Sequence, residues 1–320
     1  MEILLNGQAA AVVQVDLRAH LRKEVPEPDS GLAEVIDAIA AGTLAIAGRL
    51  RRWGLNDLDG TTGRQNIHGE MVTQMDACAH SELVNACRAC KRVSKVVSEE
   101  ADRAKEFSIP GAFQVYIDPL DGSSNVEVCV PVGTIFSIYD AHSAAHTGRA
   151  QVAAGYAVYG SSTQFVYTIG RGVHAFTLDP ETGCYVRYAA QIRMPQFGGI
   201  YSVNQAYEPG FQPEYRAYLD LLRAGLGGRM FSLRYVGSLV SDFHRTLFKG
   251  GVFLYPGKKL RLAYEANPLA WIAEEAGGMA TDGERPILDV PATAIHQRTP
   301  FLFGSAEEMT ALAEVLQSFR

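Results

Sequence analysis

The chain predicts a mixed α/β protein of the α+β kind, in two parts, residues 1–192 and 193–320. Three observations carry this. An apolar stripe at helical spacing opens the first part. Residues 111–190 are rich in Val, Tyr, Thr and Phe with Gly punctuation, as in a large antiparallel sheet, and the second part alternates strand-like runs with helical ones. The length of 320 residues, 47% of them hydrophobic, suffices for a large core and favours about two domains.

The first helix is expected from a cap at Asp29 or Ser30, with Leu32, Val35, Ile36, Ile39, Leu44 and Ile46 on its buried side, ending before Gly54. A second helix is expected over about 72–96. The pattern lapses from Gln191 to Gly199, which sets the boundary between the parts. Beyond it, Gln212 to Ala224 and Gly237 to Phe248 read as helices, and Gly251 to Tyr255 and Leu260 to Tyr264 as strands. Asn267-Pro268 starts a helix that stops at Gly277-Gly278. A last helix opens with Ser305 and Glu308 at capping-box spacing and buries Leu312, Val315, Leu316 and Phe319.

A net charge of −6 with scattered basic residues argues against a nucleic-acid groove. The N-terminal residues lack a basic lead-in and no run of about 18 apolar residues occurs, so a cytoplasmic protein is expected. Five cysteines, an odd number, suit reduced thiols. Cys87 and Cys90 have no second pair or histidine at zinc spacing, and the eight histidines form no zinc motif. His244 is expected to make structural hydrogen bonds.

The most informative run is Asp118-Pro119-Leu120-Asp121-Gly122-Ser123-Ser124-Asn125. Two carboxylates precede a glycine and two hydroxyls, so ligands for a hard cation and donors for a phosphate share one stretch. The same residue types also suit a plain polar turn. Phe113, Val115 and Ile117 before it and Val126, Val128 and Val130 after it read as strand, loop, strand.

This run resembles the class I fructose-1,6-bisphosphatases. So do Val97-Ser98-Glu99-Glu100, Gly133 to Tyr139, Ile200 to Asn204, Arg234 to Ser238, Gly250 to Pro256, Lys259 to Pro268 and Ala276 to Thr281, in that order down the chain. The resemblance runs from about residue 30 to the end. It implies the sugar phosphatase fold, a layered α-β-α-β-α sandwich with the active site between the halves.

The resemblance also implies Mg²⁺-dependent hydrolysis of the 1-phosphate of fructose 1,6-bisphosphate, in gluconeogenesis or the Calvin cycle. Two or more Mg²⁺ per subunit are expected, with Mn²⁺ a possible substitute. The implied metal ligands are Glu99, Asp118, Asp121 and Glu265, with the Leu120 carbonyl and Glu70; Glu70 stands where relatives commonly have Asp. Asp76 and Glu100 would activate the attacking water, two carboxylates relaying its proton. Gly122, Ser123 and Ser124 would receive the scissile phosphate. Asn204, Tyr207, Tyr235, Tyr255 and Lys259 would hold the distal phosphate, with Arg234 reaching it from a neighbouring subunit of a homotetramer.

Sedoheptulose-1,7-bisphosphatase activity, alone or in addition, is the neighbouring alternative, because the motifs fix the phosphate ends better than the sugar length. A non-catalytic phosphosugar-binding regulator is the alternative of another class; it would be expected to lose some of these acids. Pro28 to Ala33 and Ala112-Phe113 lack the charges and hydroxyls by which relatives hold AMP, so weak or absent AMP inhibition is expected.

Overall fold

The computed structural model describes residues 15–25, 30–55, 60–65, 71–109, 111–143 and 147–320. Helices α1 (Leu17–Glu24) and α2 (Ser30–Leu50) are followed by the short strands β1 (Thr61–Gln65) and β2 (Met71–Thr73), then α3 (Gln74–Ala89). Over Gly31–Leu50, α2 is long and apolar enough to cross a membrane, but half of that stretch is buried inside this protein. Gly42 permits its close packing on α3, since a Cβ there would lie 2.8 Å from a Leu83 methyl.

The expected second helix is shorter than the sequence indicated. It stops at Ala89, and Val93–Ser98 forms strand β3. Val93, Val96 and Val97 are β-branched and buried, and pairing with the central sheet overrides continued helix. Strands β4 (Lys105–Glu106), β5 (Phe113–Asp121), β6 (Val132–Asp140), β7 (Gln151–Tyr159), β8 (Thr163–Thr168), β9 (Val173–Leu178) and β10 (Tyr185–Ala189) complete an eight-stranded sheet. Its order is β10-β9-β8-β7-β6-β5-β3-β4, and all neighbours are antiparallel except β3 and β5.

No regular element occupies residues 190–199. The second half contains β11 (Ile200–Val203), α4 (Pro213–Ala224), β12 (Ser232–Leu233), α5 (Leu239–Lys249), β13 (Val252–Arg261), α6 (Asn267–Glu275), β14 (Met279–Thr281), β15 (Arg298–Gly304) and α7 (Ala306–Ser318). Its five strands run in the order β12-β11-β13-β15-β14.

Alternation along these strands builds the layers. Ile36, Ile39, Met75 and Leu83 of α2 and α3 pack with Val115, Ile117 and Phe136 on one face of the large sheet. Ile135, Ala154 and Tyr156 on its other face pack with α5 and α6, which also cover Phe253, Phe301 and Phe303. Val252, Leu254 and Leu302 point the opposite way and pack with Tyr218 and Leu222 of α4 and Leu312 of α7. The result is helices, sheet, helices, sheet, helices, as the resemblance implied.

Four further expectations are corrected. The two strands read at 251–255 and 260–264 are one strand, β13, followed by a π-helical turn over Leu262–Ala266. The segment after Asp121 is a 3-10 helix over Ser123–Val128, and strand structure resumes only at Val132. The capping box of the last helix does not form. Ser305 Oγ instead accepts from the Gly251 amide at 3.0 Å, and Glu308 Oε1 from the Gly198 amide at 2.9 Å, because buried loop amides compete for both groups. Phe319 is exposed rather than part of the buried face.

Candidate active site

Strand β5 carries Asp118 and Asp121 three residues apart, which in a regular strand would send their side chains to opposite faces. A bulge corrects this. Asp118 pairs with Ile135 and Asp121 with Gly133, so three steps on β5 match two on β6 and both carboxylates share a side. Pro119, which lacks an amide for the ladder, falls within the bulge. Leu120 donates its amide to Asp118 Oδ1 at 3.1 Å, and the Pro119 carbonyl accepts from Thr134 Oγ1 at 2.8 Å.

Glu99 arrives beside them because β3 runs parallel to β5 and the Glu99 amide donates to the Ile117 carbonyl at 3.1 Å. Glu265 comes from the other half of the chain, on the π-helical turn between β13 and α6; such turns recur at functional sites. One oxygen each of Asp118, Asp121 and Glu265 lie within 4.8 Å of one another.

Burial raises all three carboxyl pKa values. Glu99, Asp121 and Glu265 push Asp118 further up. For Asp121, the Ser238 hydroxyl and the amides of Val240 and Leu239 oppose the rise. Glu265 is pushed further up by Glu99 and eased by Arg261. Arg261 is itself buried, with Nη2 2.7 Å from Glu99 Oε1 and Nη1 3.9 Å from Glu265 Oε1. One guanidinium among four buried carboxylates leaves a strong excess of negative charge, and oxygen ligands this close suit a hard divalent cation.

Asp121 also joins the halves. Its Oδ2 accepts from Ser238 Oγ at 2.7 Å and from the Val240 amide at 2.8 Å, at the start of α5. Gly122 adopts φ +76, and a Cβ there would lie 2.6 Å from the Ser238 Cβ. Only glycine lets the strand end and helix start approach so closely.

A cleft of about 460 Å³ gathers most of the expected residues. Asp76, Glu99, Glu100, Asp118, Leu120, Asp121, Gly122, Ser123, Ser124 and Glu265 line it, as do Tyr235, Tyr255 and Lys259. Asp76 closes a capping box at the start of α3, its Oδ2 accepting from the Thr73 amide and hydroxyl, each at 2.8 Å. Glu99 and Glu100 follow a strand rather than the helix expected. Glu70 lies outside the described residues.

Asn204 and Tyr207 line a neighbouring cavity of about 520 Å³, which shares Tyr255 and Lys259 with the cleft and includes Lys258. The sharing has a backbone cause. Tyr255 pairs with Phe301 and Leu260 with Thr299, so Pro256 to Lys259 stand opposite Pro300 alone and bulge out at the rim. Arg234 is exposed, lines neither cavity and donates to the Leu233 carbonyl at 2.8 Å. His244 pairs Nδ1 with the Tyr156 hydroxyl at 2.8 Å, as expected.

Sequence reasoning passed over Arg261, Ser238 and Asp242. Arg261 and Ser238 were within quoted motifs, and the need of buried acids for a counter-charge was a usable signal for Arg261. Asp242, which lines the cleft, carried no such mark.

The chain matches the profile described as Fructose-1-6-bisphosphatase, N-terminal domain, over residues 15–190, and the corresponding C-terminal domain profile over 194–317. It belongs to the fructose-1,6-bisphosphatase family. Among class 1 fructose-1,6-bisphosphatases, that named class 1 2 from Salinibacter ruber is 44% identical over 313 residues, covering 90% of this chain and 86% of its own. That of Chlorobium phaeovibrioides is 41% identical over 322 residues, covering 93% and 96%. The crystal structure of Leishmania major fructose-1,6-bisphosphatase in holo form superposes with a TM-score of 0.90 at 33% identity, covering 95% of this chain and 99% of that one.

Proposed function

We propose that this protein hydrolyses the 1-phosphate of fructose 1,6-bisphosphate to fructose 6-phosphate and phosphate, with Mg²⁺ as cofactor and Mn²⁺ as a substitute. The observation that carries the reading is the convergence, in one cleft, of a buried carboxylate cluster, a Gly-Ser-Ser turn, and tyrosine and lysine donors farther along. Membership of the family gives the reaction class; the cleft supports the roles.

Asp118, Asp121, Glu99 and Glu265 are read as holding the cation, with the Leu120 carbonyl and Glu70 beside them. A hard divalent cation there supplies charge neutralisation and polarises the phosphoryl group. Asp76 and Glu100, on the cleft wall, are read as orienting the attacking water and taking its proton. The turn from Gly122 to Ser124 offers amide and hydroxyl donors to the scissile phosphate. Asn204, Tyr207, Tyr235, Tyr255 and Lys259 offer phenol, amide and ammonium donors to the distal phosphate. Arg234, exposed and facing neither cavity, fits contact with a neighbouring subunit's site in a homotetramer. Residues 1–192 are read as the acid-bearing domain and 193–320 as the substrate domain, in a cytoplasmic enzyme of gluconeogenesis or the Calvin cycle.

A second activity, on sedoheptulose 1,7-bisphosphate, is favoured by one feature: the distal donors divide between two adjoining cavities that meet at Tyr255 and Lys259. Phosphate release is to be measured from both esters side by side, with and without Mg²⁺. Release only with metal and chiefly from the fructose ester is expected. Comparable turnover of both establishes the dual activity, and no release from either overturns the bisphosphatase reading.

A further inference from the structure

The segment from Arg234 to Ser238 connects the edge strand β12 to helix α5. Among the described residues, its only ladder-like tie is the Arg234 amide, which donates to the Tyr201 carbonyl at 2.9 Å. Side chains supply the rest. Asp242, fully buried in the first turn of α5, accepts from the Val236 amide at 3.1 and 3.0 Å through its two oxygens and from the Gly237 amide at 3.2 Å. Ser202 Oγ on β11 donates to Asp242 Oδ1 at 2.9 Å, and Arg245 Nη2 lies 2.7 Å from the same oxygen. That nitrogen also donates to Ser202 Oγ at 3.0 Å and to the Arg234 carbonyl at 3.1 Å. One ion pair, buried at its Asp242 end, thus satisfies backbone groups at three successive peptides and freezes a segment that would otherwise sample many conformers.

The other end of the segment is held by Asp121, through Ser238 and Val240. A carboxylate from each half of the chain therefore grips one short stretch, and Tyr235, on the wall of the acid cleft, sits between the Arg245 contact at Arg234 and the Asp242 contact at Val236. The spacing between Tyr235 and the acid cluster is set by these grips. We propose that Asp242 and Arg245 are positioning residues that fix the Arg234-Tyr235 segment at the span required by the distal phosphate. The proposal rests on the bisphosphatase reading for the identity of that phosphate.

Binding of fructose 6-phosphate, which carries the distal phosphate alone, tests it by calorimetry on the full chain with Mg²⁺, alongside steady-state kinetics on fructose 1,6-bisphosphate. Asp242→Asn keeps the shape but turns one acceptor into a donor facing backbone amides and removes the ion pair. It is expected to raise the Kd for fructose 6-phosphate and the KM about tenfold, with kcat within about threefold of wild type. Arg245→Lys keeps the charge but cannot reach Asp242, Ser202 and the Arg234 carbonyl together, and should raise the Kd about threefold.

A Kd for Asp242→Asn within about twofold of wild type overturns the proposal, as does a loss confined to kcat. A merely structural role would lower the melting temperature and the active fraction and leave Kd and KM in place. If Asp242→Asn does not fold, Arg245→Lys decides, an unchanged Kd overturning the idea. A wild-type protein that binds fructose 6-phosphate yet hydrolyses no bisphosphate sinks the bisphosphatase reading, and the binding arm still decides the role of Asp242.

Discussion

Asp118 is where local stability and chemistry oppose each other. It is buried against other carboxylates, and burial together with Glu99, Asp121 and Glu265 raises its pKa. A carboxyl that holds its proton more tightly folded than unfolded stabilises the fold at low pH. Metal-free protein should therefore lose stability as pH rises from about 4 through the raised folded values. Asp118→Asn removes one of the crowded charges. In the presence of a chelator it is expected to unfold at higher denaturant at pH 8, by on the order of 1 kcal/mol, and to show a flatter dependence on pH. Its Mg²⁺-dependent phosphate release should fall by about 100-fold or more. A variant less stable than wild type without metal, or as active with it, would contradict this account of the cluster.

Among the elements, α1 shows how a helix outside the site is fixed to the large sheet. His20 is buried with Tyr167, His174 and Phe176 around its ring, and Arg187 Nη1 stands 3.2 Å from its Nδ1. Burial lowers the His20 pKa to about 4, with His174, Arg187 and Lys23 acting in the same direction. His174 is also lowered by burial, while Glu24 opposes that shift. A histidine held neutral contributes stability that is complete above its unfolded value near 6.5 and is lost as pH falls towards 4. His20→Phe should reduce that acid-side loss by up to about 2 kcal/mol, read as the difference in unfolding free energy between pH 7 and pH 5. An unaltered acid limb would refute the clamp.

Which elements were legible in the sequence follows from the range of the forces that make them. Helix α2 was readable because its stripe is local, and the strand-rich centre because alternation is local. The end of α3 was not, since Val93 to Ser98 become a strand through pairing with β5, a partner about twenty residues away. The acid motif could be read as a ligand set, but the bulge that turns Asp118 and Asp121 to one side arises from register with β6. Arg261 and Asp242 escaped because their importance lies in contacts with Glu99 and with the segment from Arg234 to Gly237, which no spacing rule links to them.

For the molecule as a whole, the decisive junction is the contact of Gly122 with Ser238, where the first half meets the second beside the acids. Gly122→Ala introduces a Cβ 2.6 Å from the Ser238 Cβ at a backbone φ of +76. Steric conflict and left-handed strain add, so a loss on the order of 1–3 kcal/mol in stability is expected. Because Asp121 reaches Ser238 and Val240 across the same junction, the damage should not remain a matter of stability alone. Activity per folded molecule should fall about tenfold or more, whereas Gly48→Ala, with open space around its Cβ on α2, should leave it unchanged. Full activity in folded Gly122→Ala would show that the two halves tolerate being wedged apart.

The outward bulge of Pro256 to Lys259 has an implication for how such a molecule can diversify. Residues inserted into or deleted from that stretch leave the pairing of Val252 to Tyr255 and of Leu260 and Arg261 intact, because the strand resumes its register on either side. The far wall of the pocket can thus be redrawn by changes of length while the carboxylates keep their places. Reach towards a ligand and the chemistry performed on it are separately adjustable in this architecture.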